Sequence, residues 1–227
     1  MLSLFMSFIC LMIFMSDILV LWDKPLLWDR LFQEYGMFSS SALPDALLSS
    51  YLPPTKLILI PAGFMSDVYT AAAASFAKEK VVGKLIRFVE NGGSLLVFSP
   101  KINEPVSFSW LNLPITFVPQ NAVLKKKTHL LDQDSFFCDG WFQNMDESCA
   151  ISEFDESCAI AKSDESCAIA KSDEIYTITE SDDKGRPIHL EIQKEGEEKG
   201  KIILSSIHEF LSKSYFLSLL NGPKVKI

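Results

Sequence analysis

Asn91-Gly92-Gly93-Ser94-Leu95-Leu96-Val97-Phe98-Ser99-Pro100 closes a helix, lays down one wholly apolar strand and stops at a proline. The helix before it carries Val81, Leu85, Phe88 and Val89 at the spacing of a single buried stripe. Paired glycines suit a helix C-terminus, where the left-handed conformation carries no Cβ penalty. Ser94 to Phe98 then reads as a strand covered on both faces, the form strands take in parallel sheets.

The same grammar repeats upstream. Asp17 to Asp23 (DILVLWD) reads as a buried strand, and Pro25 fits the first turn of the helix that follows. Leu27, Leu31 and Tyr35, broadened by Trp28 and Phe32, form that helix's apolar face, and Gly36 stops it. A Ser- and Pro-rich loop leads to Lys56-Leu57-Ile58-Leu59-Ile60, a second apolar strand ended by Pro61-Ala62-Gly63. Ser66 or Asp67 is placed to cap the helix that carries the Val81 stripe. Strand, helix, strand, helix, strand predicts an α/β fold: an open, mostly parallel sheet with helices on both faces.

The second half is more β-rich. Ile115 to Val118, the region around Phe136 to Phe142, Ile175 to Thr179, Ile188 to Ile192 and Lys201 to Ser205 read as strands. Asp182-Asp183-Lys184-Gly185 is expected to be a hairpin turn, and a last amphipathic helix is expected from about Glu209 to Leu220. Between them lies a nine-residue repeat over 146–172: Asp146 to Phe154 (DESCAISEF), then Asp155 to Ser163 and Asp164 to Ser172 (both DESCAIAKS). A metal site built from Cys149, Cys158 and Cys167 would lack the close Cys pairs or His partners of zinc sites. An exposed, partly mobile acidic insertion is the simpler expectation.

With 227 residues, 48% of them apolar, the chain has material for one sizeable domain, expected over 15–227. A net charge of −8 argues against a nucleic-acid surface, and Lys125-Lys126-Lys127 reads as a solvated turn. Five cysteines without paired spacing suggest reduced thiols in a cytoplasm. Met1 to Phe14 is almost wholly apolar but lacks a basic start and a cleavage site, and Asp17 interrupts it. A membrane association, if there is one, is expected only through residues 1–14.

Three chain segments could meet at one end of the sheet: Ile60-Pro61-Ala62-Gly63, Ser99-Pro100 and His208-Glu209. Ligands of open α/β sheets bind beyond the carboxyl ends of the parallel strands. In their order, IPAG (60–63), FVENGGSLLVFS (88–99), CDGWF (138–142) and GKIILSSIH (200–208) resemble the class I glutamine amidotransferase superfamily. Within it the chain is most similar to biotin–protein ligase N-terminal-like domains. The resemblance implies a flavodoxin-like fold and covers most of Asp17 to Leu220 outside the repeat.

The resemblance also places the family's nucleophilic cysteine at Ser99, its glycine-rich oxyanion loop at Ala62 and Gly63, and its catalytic His-Pro-Glu at His208-Glu209-Phe210, with the glutamate displaced by one position. Pro100 falls where a backbone N–H is needed, and proline has none. It also restrains Ser99 toward extended conformations. Loss of one oxyanion donor costs on the order of 10²–10³ in rate.

The expectation is therefore a non-catalytic domain that binds a small metabolite or a protein partner. It would need no cofactor or metal, and would keep Ser99, His208 and Glu209 as vestiges. The alternative is a hydrolase or amidotransferase of altered chemistry using Ser99 with His208. A membrane-tethered accessory subunit is a third reading. Each residue also has a structural role to fill: Ser99 a turn cap, His208 a hydrogen-bonded strand end, Glu209 a first-turn acid and Trp141 a packing aromatic beside a turn. Nothing near Cys138 in sequence supports it as a relocated nucleophile.

Overall fold

A computed structural model of the chain describes residues 16–22, 27–66, 70–144, 167–171, 174–194, 200–208 and 210–227. Its main sheet has eight strands. β1 (Ile18–Leu21), β3 (Leu57–Ile60), β4 (Ser94–Phe98) and β11 (Lys201–Ser205) are the apolar runs of the sequence. Together with β2 (Ser39–Ala42) they run parallel, in the order β2-β1-β3-β4-β11. β10 (Pro187–Lys194), β9 (Glu174–Ser181) and β8 (Cys167–Lys171) extend the sheet beyond β11 as antiparallel strands. The architecture is mixed α/β.

A second, three-stranded antiparallel sheet consists of β5 (Val106–Ser107), β6 (Ile115–Leu124) and β7 (Phe136–Asn144). It supplies the segment that reaches the end of β11. Among the described residues the α-helices are α1 (Leu27–Tyr35), α2 (Thr70–Phe76), α3 (Glu79–Glu90) and α4 (Lys213–Leu219).

Two aromatic groups fill the core. In one, Trp28 of α1 packs on Phe32, Phe98 and Phe216, and Phe216 meets Phe32 edge-on at 5.0 Å. In the other, Phe64, Phe76, Trp110, Phe108, Phe142 and Phe117 form a continuous chain of ring contacts.

The structure amends four sequence expectations. The Ser-rich loop contains strand β2, whose backbone pairs with β1 while Asp29 of α1 accepts from the hydroxyls of Ser39 and Ser41. A single helix before Gly92 becomes α2 and α3, separated at Ala77 and Lys78. Phe136 to Phe142 is a strand as expected, so Trp141 lies within β7 rather than beside a turn, and Arg186 lies over its ring. The last helix starts at Lys213, because the Ser212 hydroxyl caps it by accepting from the Tyr215 N–H.

Of the repeat, only Cys167–Lys171 lies among the described residues, and it is β8, paired with β9. Cys149, Cys158, Asp67, Glu209 and the segment Met1 to Phe14 lie outside them. Among the described residues no helix is long and apolar enough to cross a membrane.

Candidate functional site

The carboxyl ends of β3, β4 and β11 bring together most of the residues singled out from sequence. β4 is buried along its whole length and apolar from Leu95 to Phe98, and the residue that follows it, Ser99, is only 1% exposed. The adjacent turn after β3 needs Gly63, whose φ of 86° is in the left-handed region. There the Gly63 N–H donates to the Ser99 carbonyl at 2.8 Å, and the Ser66 N–H closes the turn onto the Gly63 carbonyl. Beyond Pro100, Lys101 adopts φ 51°, a left-handed conformation uncommon for a residue with a side chain.

β7 supplies the third side of the site. Its backbone zips onto the segment after β11: the Asp139 N–H donates to the Ser206 carbonyl, and the His208 N–H to the Phe137 carbonyl. Ser206 is buried, and its hydroxyl ties the two sheets together by donating to the Gly140 carbonyl at 2.6 Å. At Gly140 a Cβ would come within 2.3 Å of the Val118 carbonyl oxygen, so only glycine permits this approach.

The zipper sets Asp139 between the two predicted site residues. The Ser99 hydroxyl donates to Asp139 Oδ2 at 2.5 Å, and His208 Nδ1 lies 3.4 Å from Asp139 Oδ1. His208 is half exposed, whereas the Asp139 carboxylate is mostly covered. The sequence reading placed Asp139 only as a neighbour of Cys138 and missed its role. The available signal was an acid inside an aromatic strand, Phe136-Phe137-Cys138-Asp139-Gly140-Trp141-Phe142.

This geometry decides what the site can do. A serine nucleophile needs the imidazole at its hydroxyl, with the carboxylate behind the imidazole. Here the carboxylate occupies the hydroxyl and the imidazole stands behind the carboxylate. Pro100 offers no N–H, and the Gly63 N–H already serves the Ser99 carbonyl. Cys138 is buried, and that burial, with Asp182 adding to it, pushes its thiol above the usual range. That is the opposite of what an attacking thiolate needs.

An open, polar cleft of about 340 Å³ adjoins Asp139, lined by Lys101, Asn103, Gln120 and Asn121. One wall is rigid. Arg186 Nη1 donates to Gln120 Oε1 at 2.6 Å, and the Asp182 carboxylate holds the same guanidinium at 2.7 Å.

Asp139→Ala should destabilise the protein by about 1–3 kcal/mol, because it leaves the buried Ser99 hydroxyl unpaired. Chemical denaturation of D139A, S99A and the double variant checks this. Additive losses, with no coupling between the two positions, would disprove the interaction.

No protein-family model matches the chain, and no curated protein matches it. Among solved structures it is similar to the β-galactosidase from Rahnella sp. R3, at 12% identity and a TM-score of 0.47, over 90% of this chain and 30% of that one. A β-galactosidase from Bacillus circulans sp. alkalophilus gives 11% and 0.44, over the same shares. The mmIFT52 N-terminal domain gives 13% and 0.47, over 92% of this chain and 99% of that domain. The chain thus spans about a third of the glycosidase chains it matches. Similarity at this level carries no functional argument.

Proposed function

We propose that the chain is a non-catalytic glutamine amidotransferase-like domain of the biotin–protein ligase N-terminal-like kind. It would serve in the cytoplasm as a binding or scaffolding module for a small metabolite or a protein partner. One observation carries this reading: two of the groups that amide hydrolysis would use are already occupied. The Ser99 hydroxyl is buried and bonded to Asp139, and the Gly63 N–H is bonded to the Ser99 carbonyl.

The parallel strands support the fold half of the reading. Numbered in chain order among themselves they run 2-1-3-4-5, the order of flavodoxin-like doubly wound sheets. Two aromatic clusters that share no ring fit helices on both faces of such a sheet. In these folds ligands sit beyond the carboxyl strand ends, and the polar cleft beside Asp139 lies there.

Release of ammonia from glutamine and cleavage of a nitrophenyl ester test the proposal on the full chain. Wild type, Ser99→Ala and His208→Ala should all run at the uncatalysed rate. Turnover that both substitutions abolish would refute the proposal and establish a hydrolase built on Ser99 and His208.

A further inference from the structure

We propose that the cleft beside Asp139 binds a small hydroxycarboxylate, its carboxylate held by Lys101 and Gln120 and its hydroxyl donating to Asp139. The inference rests on the reading of the chain as a binding module and names a ligand class for it.

Two departures from regular backbone meet at this cleft, on segments far apart in the chain. Lys101, just past the carboxyl end of β4, holds φ 51°, a conformation that only glycine adopts without strain. Opposite Asp139, β6 carries a bulge: Pro119 pairs with Gly140 and Ala122 with Cys138, so Gln120 and Asn121 together face the single residue Asp139. A bulge re-aims side chains out of a strand's regular alternation. Here both bulged residues line the cleft with Asp139 and Lys101.

Internal bonding does not account for these conformations. Among the described residues the side chains of Lys101, Asn103 and Asn121 make no hydrogen bond or ion pair. Gln120 is bonded on one side only. Its Oε1 accepts from Arg186, which leaves the amide nitrogen with its N–H groups to donate. Lys101 likewise has donors alone. Asp139 is the opposite: it accepts the Ser99 hydroxyl at Oδ2 and faces His208 at Oδ1, and a carboxylate has lone pairs for one more donor. A ligand that satisfies the cleft therefore carries acceptors at one end and a donor at the other.

Charge narrows the class. Among the described residues lining the cleft, Lys101 is the one cation and Asp139 the one acid. A phosphate dianion would set two charges against a single ammonium beside a carboxylate. An amino acid would bring a second cation to a carboxylate that already has two partners. A monoanion with a neutral hydroxyl avoids both conflicts. The volume, about 340 Å³, is at the small end of metabolite sites.

NMR titration of the full chain with DL-lactate tests this, beside three analogues that each change one group. Propionate lacks the hydroxyl, lactamide lacks the charge, and alanine carries an ammonium in place of the hydroxyl. Lactate should saturate with a Kd of about 1 mM, within reach of a ligand of that size, and shift the amides of Lys101, Gln120 and Asn121. Each analogue should bind about tenfold more weakly or worse. Lys101→Gly removes the ammonium and relieves the left-handed backbone, so it should cost lactate about tenfold or more while the melting temperature stays close to wild type. Gln120→Glu keeps an acceptor for Arg186 but replaces the donor, and should cost as much. Four results would each overturn the proposal: no saturation by lactate, equal binding of propionate, tighter binding of alanine, or lactate binding indifferent to Lys101→Gly. The ammonia and ester assays score the underlying reading separately. A folded, inactive chain that ignores lactate loses the ligand assignment alone.

Discussion

Gly200→Ala is expected to cost about 4 kcal/mol or more, a large share of the about 5–15 kcal/mol that holds an ordinary domain folded. A Cβ on Gly200 would sit 1.8 Å from the Gly93 carbonyl oxygen and within 2.8 Å of Gly92. All of these neighbours are backbone, so no rotamer change relieves the clash. The contact exists because the start of β11 docks on the end of α3, where the Gly200 N–H donates to the Val89 carbonyl at 2.9 Å. To make room, either that bond or the β4–β11 pairing must open. Gly83→Ala is the matched control. It lies inside α3 with nothing within 4 Å of its added Cβ, and should stabilise by about 0.5–1 kcal/mol. Urea midpoints of the two variants give the comparison. A Gly200→Ala protein that unfolds where wild type does would show that β11 does not pack on Gly93 as described.

The same contact shows how far the sequence could be read. Gly92-Gly93 and Gly200 stand out as glycines beside apolar strands, and the strands themselves are legible because burial of both faces requires continuous apolar runs. What no run reveals is that the two glycine sites touch each other. β2 escaped notice for the opposite reason. It is an edge held by backbone bonds and by serine hydroxyls on Asp29, so nothing in its composition marks a strand. At the candidate site, Ser99 and His208 could be found because each follows an apolar strand. Asp139 could not, because it reaches them through the pairing of β7 with the segment after β11, a contact between residues far apart in the chain. Without Asp139, Ser99 and His208 look like a nucleophile and its base. With Asp139 between them they become two partners of one carboxylate.

The largest response to solution conditions should come from a residue outside that site. His189 in β10 is completely buried, and burial pushes its pKa down to about 3 from an ordinary 6.5, with nearby Glu191 opposing the shift. Its bonds define the tautomer. The Tyr215 hydroxyl has one proton, which it donates to Glu191 Oε1 at 2.7 Å, so His189 Nε2 must carry the hydrogen in its own 2.7 Å bond to the Tyr215 oxygen. His189 Nδ1 is left as a buried acceptor with no hydrogen-bond partner among the described residues. Lys201 completes the chain by donating to Glu191 Oε2 at 2.6 Å. Burial acts to raise the Glu191 carboxyl, but Lys201 and Tyr215 outweigh it and hold the group below its usual range.

Linkage then fixes the sign of the pH effect. Between pH 6.5 and about 3 the unfolded chain binds a proton at His189 that the folded chain refuses, so stability falls as the solution is acidified. The full cost is about 4–5 kcal/mol, of which about 2 kcal/mol accrues between pH 7 and 5. Glu191 acts in a lower window: its depressed pKa stabilises the fold above about 4.5, and that contribution disappears below it. Unfolding free energies measured at pH 7, 6 and 5 therefore separate the histidine window from that of Glu191, and comparison with a variant at position 189 assigns it. His189→Gln keeps a donor for Tyr215 but does not titrate, so its stability should be nearly flat over that range while wild type declines. If both proteins lose stability in parallel from pH 7 to 5, the buried neutral His189 is not the origin of the acid sensitivity.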